Sequence, residues 1–212
     1  MSVECHELHR LFNSKHIFRF PFDERGIPWN GIYVLFEKGE FAHGTKRIVR
    51  VGTHTGKDQL RSRLFQHFLV ENKDRSIFRK NIGRCLLNKK EDAFLAKWDL
   101  DYTPKQARKK KLSPIDIRKQ KVLEKQVSRY IQERISFIVI PVESNKTRLD
   151  LESKIISTVS LCEECFPSPF WLGNFSPKVK IRESGLWLVN ELYKTPVSKK
   201  EIKQLKRLLA GN

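Results

Sequence analysis

Two hundred and twelve residues suit one ordinary domain, and 39% apolar residues can bury a core, which excludes wholesale disorder. No run approaches roughly 18 apolar residues, which excludes a membrane span, and the N-terminus lacks the basic-then-apolar layout of a secretory signal. Lysine and arginine number 42 against 24 aspartates and glutamates, and the surplus of +18 points to a polyanionic partner, foremost nucleic acid.

An anionic membrane surface could use the same charge, but there is no lipidation motif and no basic amphipathic terminal anchor. The four cysteines, Cys5, Cys85, Cys162 and Cys165, are too few for a disulfide scaffold and fit a reduced, cytoplasmic chain. Cys162-Glu-Glu-Cys165 has zinc-ligand spacing, but a closed site needs two more ligands. Cys5, His6 and His9 supply them only if the N-terminus folds back onto that loop. Otherwise Cys162 and Cys165 are unpaired thiols near a helix end.

In chain order, residues 1–30 read as a basic lead-in that ends in the turn-rich Gly26-Ile-Pro-Trp-Asn30. Gly31–Phe36 reads as a buried strand, Glu37–Arg47 as a charged loop and Ile48–Val51 as a second strand. The pair is expected to be antiparallel, with a connection longer than a tight turn. Lys57–Val70 reads as a helix with Leu60, Leu64 and Phe68 on one apolar stripe; Arg63 and His67 share the face beside it. Ser76–Leu87 reads as a strongly basic helix and Lys89–Lys111 as an exposed loop. Ser113 caps a long helix from Pro114 to about Glu133. Ile135–Val142 is the third strand. A helix over Thr147–Leu161 follows, with Thr147 as cap, then a loop over Phe166–Lys178 and a basic helix over Val197–Leu209. This order gives an α+β fold: a small, mostly antiparallel three-stranded sheet flanked by helices.

Three positions could carry chemistry. Glu152 has Leu149, Ile155 and Ile156 as helical neighbours, so its carboxylate sits in or beside an apolar face, where an unpaired charge is costly. Either it reaches solvent or an arginine at the edge of that face, or it is held inward as a metal ligand or acid. Arg63 and His67 are either packing residues or a phosphate site, since an arginine fork matches two phosphate oxygens. Tyr33 in a strand is core by default.

Together these residues resemble the GIY-YIG nuclease superfamily. The first motif is literal at Gly31-Ile32-Tyr33, and the second falls at Arg50-Val51-Gly52. Leu60-x-x-Arg63-Leu64-x-x-His67 follows on a helix, and Glu152 on a later helix after a third strand. Asn174 in Trp-Leu-Gly-Asn-Phe-Ser-Pro matches the asparagine of the next loop. The motifs span residues 31–178, with a helical insertion at about 73–134 and a basic helical extension over 179–212. Arg50 replaces the second motif's tyrosine, the gap between the motifs is long, and the segment from His67 to Glu152 holds two additional helices.

The resemblance implies a metal-dependent DNA endonuclease that hydrolyses phosphodiesters. Glu152 would hold Mg²⁺ (or Mn²⁺), Tyr33 would act on the water, and Arg63 would offset charge on the phosphate. His67 would assist proton transfer or positioning, and Asn174 would orient the substrate. A phenol ordinarily ionises near ~10, so it needs cations around it to act as a base near neutral pH. Arg50 would supply such a field or bind the scissile phosphate, and His54 is a substitute base. Arg75, Arg79, Lys80, Arg84, Lys109, Lys110 and Lys111, with Lys199–Arg207, are expected on DNA phosphates or on solvated faces. A compact chain fits a restriction-type or genome-defence enzyme, working on palindromic DNA as a homodimer or by sequential nicking. A decayed nuclease scaffold that only binds DNA is the alternative, and Arg50 is the residue that favours it.

Overall fold

The computed structural model describes residues 2–101 and 113–210. Lys109, Lys110 and Lys111 lie outside the described residues. Among those described, a four-stranded antiparallel sheet carries helices on both faces. The strands are β1 (Phe18–Arg19), β2 (Gly31–Ala42), β3 (Thr45–Gly52) and β4 (Ile135–Pro141), in the order β1-β4-β2-β3. The helices are α1 (Ser2–Asn13), α2 (Leu60–Phe68), α3 (Ile77–Asn88), α4 (Leu95–Asp99), α5 (Pro114–Arg134), α6 (Asn145–Ser160), α7 (Val179–Ser184) and α8 (Lys199–Ala210). None is long and apolar enough to cross a membrane.

The expected three-stranded sheet gains β1 as a short edge strand, because Phe18 and Arg19 pair with Phe137 and Ser136 of β4. The loop expected over Glu37–Arg47 is instead the continuation of β2 and β3. The charges of Glu37, Glu40 and Arg47 are buried and satisfied, while Lys38 is exposed. Glu37 accepts from the indole N–H groups of Trp171 and Trp187 at 3.0 and 2.8 Å, and Glu40 pairs with Arg47 at 2.6 Å. Nor is the connection long: His43 and Gly44 both have positive φ, the backbone that a two-residue hairpin requires.

Two helix starts and one loop also differ. Ser144, not Thr147, caps α6. Lys57–Gln59 precede α2, whose start is tied down by Leu60 N–H to the Trp29 carbonyl at 3.1 Å. The expected loop after α3 contains α4, whose Trp98 packs where Gly83 of α3 has no side chain and donates to the Lys80 carbonyl at 2.9 Å.

Strand alternation divides the core in two. Ile32, Val34 and Phe36 of β2 face one cluster, completed by α1, α6 and α8. The helices α1 and α8, from the segments read as lead-in and extension, bury Cys5, Leu8 and Phe12, and Ile202, Leu205 and Leu209 there. Tyr33 and Leu35 face the other cluster, completed by α2, α3, α5 and the tryptophans. Leu35 pairs with Arg50 but Phe36 with Ile48, so Val49 is bulged and Arg50 turns toward the face of Tyr33. The outer edge of β3 is covered after α7, where Trp187 N–H reaches the Val49 carbonyl at 2.8 Å.

Candidate functional site

The site forms at the end of the edge strand β3, where α2 and α3 approach from one face of the sheet and α6 from the other. Tyr33 on β2 pairs in register with Gly52 on β3. A Cβ at Gly52 would collide with the Tyr33 hydroxyl, so the second motif's glycine makes room for the first motif's tyrosine. That hydroxyl lies 2.8 Å from His67 Nε2, and His67 Nδ1 lies 2.7 Å from Ser76 Oγ. Ser76 caps α3 and accepts from Arg79 N–H at 3.2 Å. Tyr33, His67 and Ser76 thus form one buried hydrogen-bonded file. The imidazole is held well below its ordinary range by burial, reinforced by Arg63, Arg50 and Arg79, so it is neutral at neutral pH.

Glu152 approaches from α6. Burial raises its carboxyl from 4.5 to about 7, against the opposing fields of Arg50 and Arg63 and a hydrogen bond from the Thr53 backbone. Among the described residues it has no ion pair within 4 Å. One oxygen-donor carboxylate in a cationic, half-buried setting suits a hard divalent cation whose remaining ligands are water and phosphate. Arg63 donates to Gln66 Oε1 at 3.0 Å and to the Arg75 carbonyl at 2.9 Å. It also lines an open cleft of about 310 Å³ with Thr53, Thr55, Gln59 and Ser62.

Other expected site residues have structural duties. Arg50 is buried; it donates to the Trp187 carbonyl and lies 5.4 Å from the Phe78 ring centroid, and its charge acts on both His67 and Glu152. His54 Nδ1 lies 2.6 Å from the Gly56 carbonyl and its Nε2 accepts from Gly31 N–H at 3.3 Å. Both nitrogens are engaged by backbone, and the ring also lines the Arg63 cleft. Asn174 donates to the carbonyls of Ser168 and Pro169 at 2.9 and 3.1 Å, which holds its own loop.

The expected DNA contacts on α3 divide in the same way. Arg79 is fully buried, bonded to Glu124 at 2.8 Å, Ser128 at 2.8 Å and the His67 carbonyl at 3.1 Å. Arg84 is held by Asp99 at 2.5 Å and Lys80 lies near Asp74 at 3.5 Å, both largely buried. These three are structural cations. Arg75 is exposed and lines a groove of about 500 Å³ with Trp29, Arg61, Phe65 and Val70, next to the Arg63 cleft. The Arg61 guanidinium lies 4.0 Å over the Trp29 ring. Two contributors escaped the sequence reading. Ser76 was readable as a cap, but its bond to His67 was not; Thr53 acts through its backbone.

A GIY-YIG domain model matches residues 5–211, nearly the whole chain. The chain belongs to the GIY-YIG domain family. No curated protein and no solved structure matches it. The GIY-YIG domain is a nuclease domain, and a nuclease of this kind has DNA as its substrate.

Proposed function

We propose that this GIY-YIG protein is a metal-dependent DNA endonuclease with Glu152 as its metal ligand. The observation that carries the reading is the convergence of the matched motif residues: Tyr33, His67 and Ser76 form one hydrogen-bonded file, and Arg50 and Arg63 act on both His67 and the Glu152 carboxyl of α6. Bound at Glu152, Mg²⁺ or Mn²⁺ would neutralise charge on the scissile phosphate. Arg63, facing the open cleft, offers the remaining guanidinium donors to the phosphoryl oxygens. As a water attacks phosphorus, Tyr33 Oη takes the water's proton while its own passes to His67 Nε2, whose lone pair is free because the imidazole is neutral. The new bond joins the water oxygen to phosphorus, and the bond to the leaving sugar oxygen breaks. Arg50 works at a distance, by favouring the ionised Glu152.

The Trp29–Arg61–Arg75 groove supports a path for DNA into the cleft, since an aromatic face with guanidinium groups suits bases and phosphates. A restriction-type or genome-defence enzyme is one setting for such a site, and a standalone nuclease with another role is an equal one. The test is cleavage of supercoiled plasmid and several unrelated DNAs with Mg²⁺ supplied or omitted, beside Glu152→Ala. The expected result is Mg²⁺-dependent cutting that the variant loses while its DNA binding stays within a few fold. Cutting by Glu152→Ala would overturn the metal assignment. Salt-sensitive binding without cutting by the wild type would select the decayed scaffold.

A further inference from the structure

Away from Glu152, on the other core cluster, three segments distant in sequence bring sulfur and nitrogen atoms to one point. Cys5 comes from α1, His43 from the tip of the β2–β3 hairpin, and Cys162 and Cys165 from the turn that follows α6. Cys5 Sγ lies 3.4 Å from Cys165 Sγ. His43 Nε2 lies 3.3 Å from Cys165 Sγ and 3.4 Å from Cys162 Sγ. A tetrahedral zinc ion with bonds of about 2.3 Å to sulfur and 2.0 Å to nitrogen sets its ligand atoms about 3.8 Å (S to S) and 3.5 Å (S to N) apart. These three separations fall within a few tenths of an ångström of three of that tetrahedron's six edges, and the Cys162 thiol also interacts with those of Cys5 and Cys165. We propose that Cys5, His43, Cys162 and Cys165 hold a structural zinc ion that clamps α1, the hairpin tip and the exit of α6 together.

His9 also stands in the cluster: with Cys5, His43 and Cys165 its ligand atom lies within 4.8 Å of the others. Both of its nitrogens are committed, however. Nδ1–H donates to the Cys5 carbonyl at 2.9 Å, and Nε2 accepts from Ile48 N–H at 3.2 Å. Its lone pair therefore points at β3, and His9 braces the site from outside. His43 has the opposite arrangement. Its Nδ1 lies 3.4 Å from the Glu164 carboxylate, and its Nε2 is turned toward the sulfurs of Cys162 and Cys165. His6 stacks on its ring with centroids 5.4 Å apart. The positive φ of His43, unusual for a residue other than glycine, is what turns this ring inward at the hairpin tip.

Three thiolates and an imidazole form a soft set that takes zinc and not magnesium, and four protein ligands close the site to substrate. A simple disulfide between Cys5 and Cys165 would use two of these groups and leave Cys162 and the oriented His43 without a role. The ion would sit beyond the C-terminal end of α6, about 12 Å of helix from Glu152. It would set that helix against β3 without taking part in cleavage.

The test is metal analysis of the full chain, purified with reductant and without chelator or added metal. About one zinc per chain is expected, together with an intense tetrahedral cobalt-thiolate spectrum after exchange with Co²⁺. Cys162→Ser and His43→Gln should lose the zinc, whereas Cys85→Ser, altered at a cysteine buried elsewhere, should keep it. Removing the zinc should lower the melting temperature, with Zn²⁺ but not Mg²⁺ restoring it. A folded wild-type chain that carries no zinc and gives no tetrahedral cobalt spectrum would overturn the proposal. So would a Cys5–Cys165 disulfide found by mass under non-reducing conditions. The cobalt spectrum of the wild type decides the matter even if both ligand variants fail to fold. Neither readout depends on DNA cleavage.

Discussion

A carboxyl raised to about 7 by burial is about half protonated near neutral pH, so at Glu152 a proton competes with any cation that needs the carboxylate. The folded value lies above the ordinary 4.5, so folding favours the protonated form. The stability this contributes is full below 4.5 and is lost as pH rises through about 7. Without divalent cation, Glu152→Gln should therefore be more stable than wild type by roughly 2 kcal/mol at about pH 8, and hardly different at about pH 5, in denaturant unfolding. In cleavage, the acid limb of kcat/KM should fall near neutral pH when Mg²⁺ is limiting and move to lower pH as Mg²⁺ rises. A limb that ignores Mg²⁺ would assign it to another group. The helical pattern marked Glu152 as a charge beside Ile155 and Ile156 and left open whether it reaches solvent or is held inward; Leu149, read as part of the same apolar face, is exposed. Strand and helix spacing placed Tyr33, Arg63 and His67 on their elements, and the family resemblance singled them out. What the sequence did not show at His54 and Asn174 is their backbone partners: the Gly56 carbonyl and Gly31 N–H for one, the carbonyls of Ser168 and Pro169 for the other. Residue type and spacing carry no record of such partners.

At the scale of elements, α3 shows what charge alone conceals. Ser76–Leu87 has the composition of a phosphate-binding helix, yet Arg79 points into the core and meets Glu124, 45 residues away on α5. The same guanidinium holds the His67 carbonyl at the end of α2, so the pair fixes three helices around the Tyr33–His67–Ser76 file. Arg79→Met would leave the Glu124 carboxylate buried without its counter-charge, a loss of roughly 3–5 kcal/mol. Arg79→Met with Glu124→Leu should recover most of that loss, because an apolar pair removes both charges together. Denaturant unfolding of the two variants checks this. A stable Arg79→Met protein with weakened DNA binding would return Arg79 to the interface. The strands were misread for a related reason. Glu37 and Glu40 look like loop residues until Trp171, Trp187, Arg47 and Ser168 are seen to satisfy them, and those partners come from the hairpin's other strand and from residues far along the chain.

Over the whole molecule, each buried pair removes one charge of each sign. Arg47 with Glu40 and Arg79 with Glu124 therefore leave the surplus of +18 undiminished and displaced toward the surface. A surface of that kind attracts a polyanion by releasing its condensed counterions, so affinity should fall with salt in proportion to the number of phosphates met. Binding of a short duplex, measured without Mg²⁺, should weaken by about 10³-fold or more between about 50 and 200 mM salt, the range for six or more phosphate contacts. The slope also identifies the contacts. Arg75 is exposed at the groove beside the cleft, so Arg75→Ala should reduce the slope by about one ion. Arg84 is held by Asp99, so Arg84→Ala should lower stability and leave the slope unchanged. Equal slopes for Arg75→Ala and wild type would move the DNA path off the Trp29–Arg61–Arg75 groove. A reduced slope for Arg84→Ala would mean that α3 turns its cations outward when DNA binds.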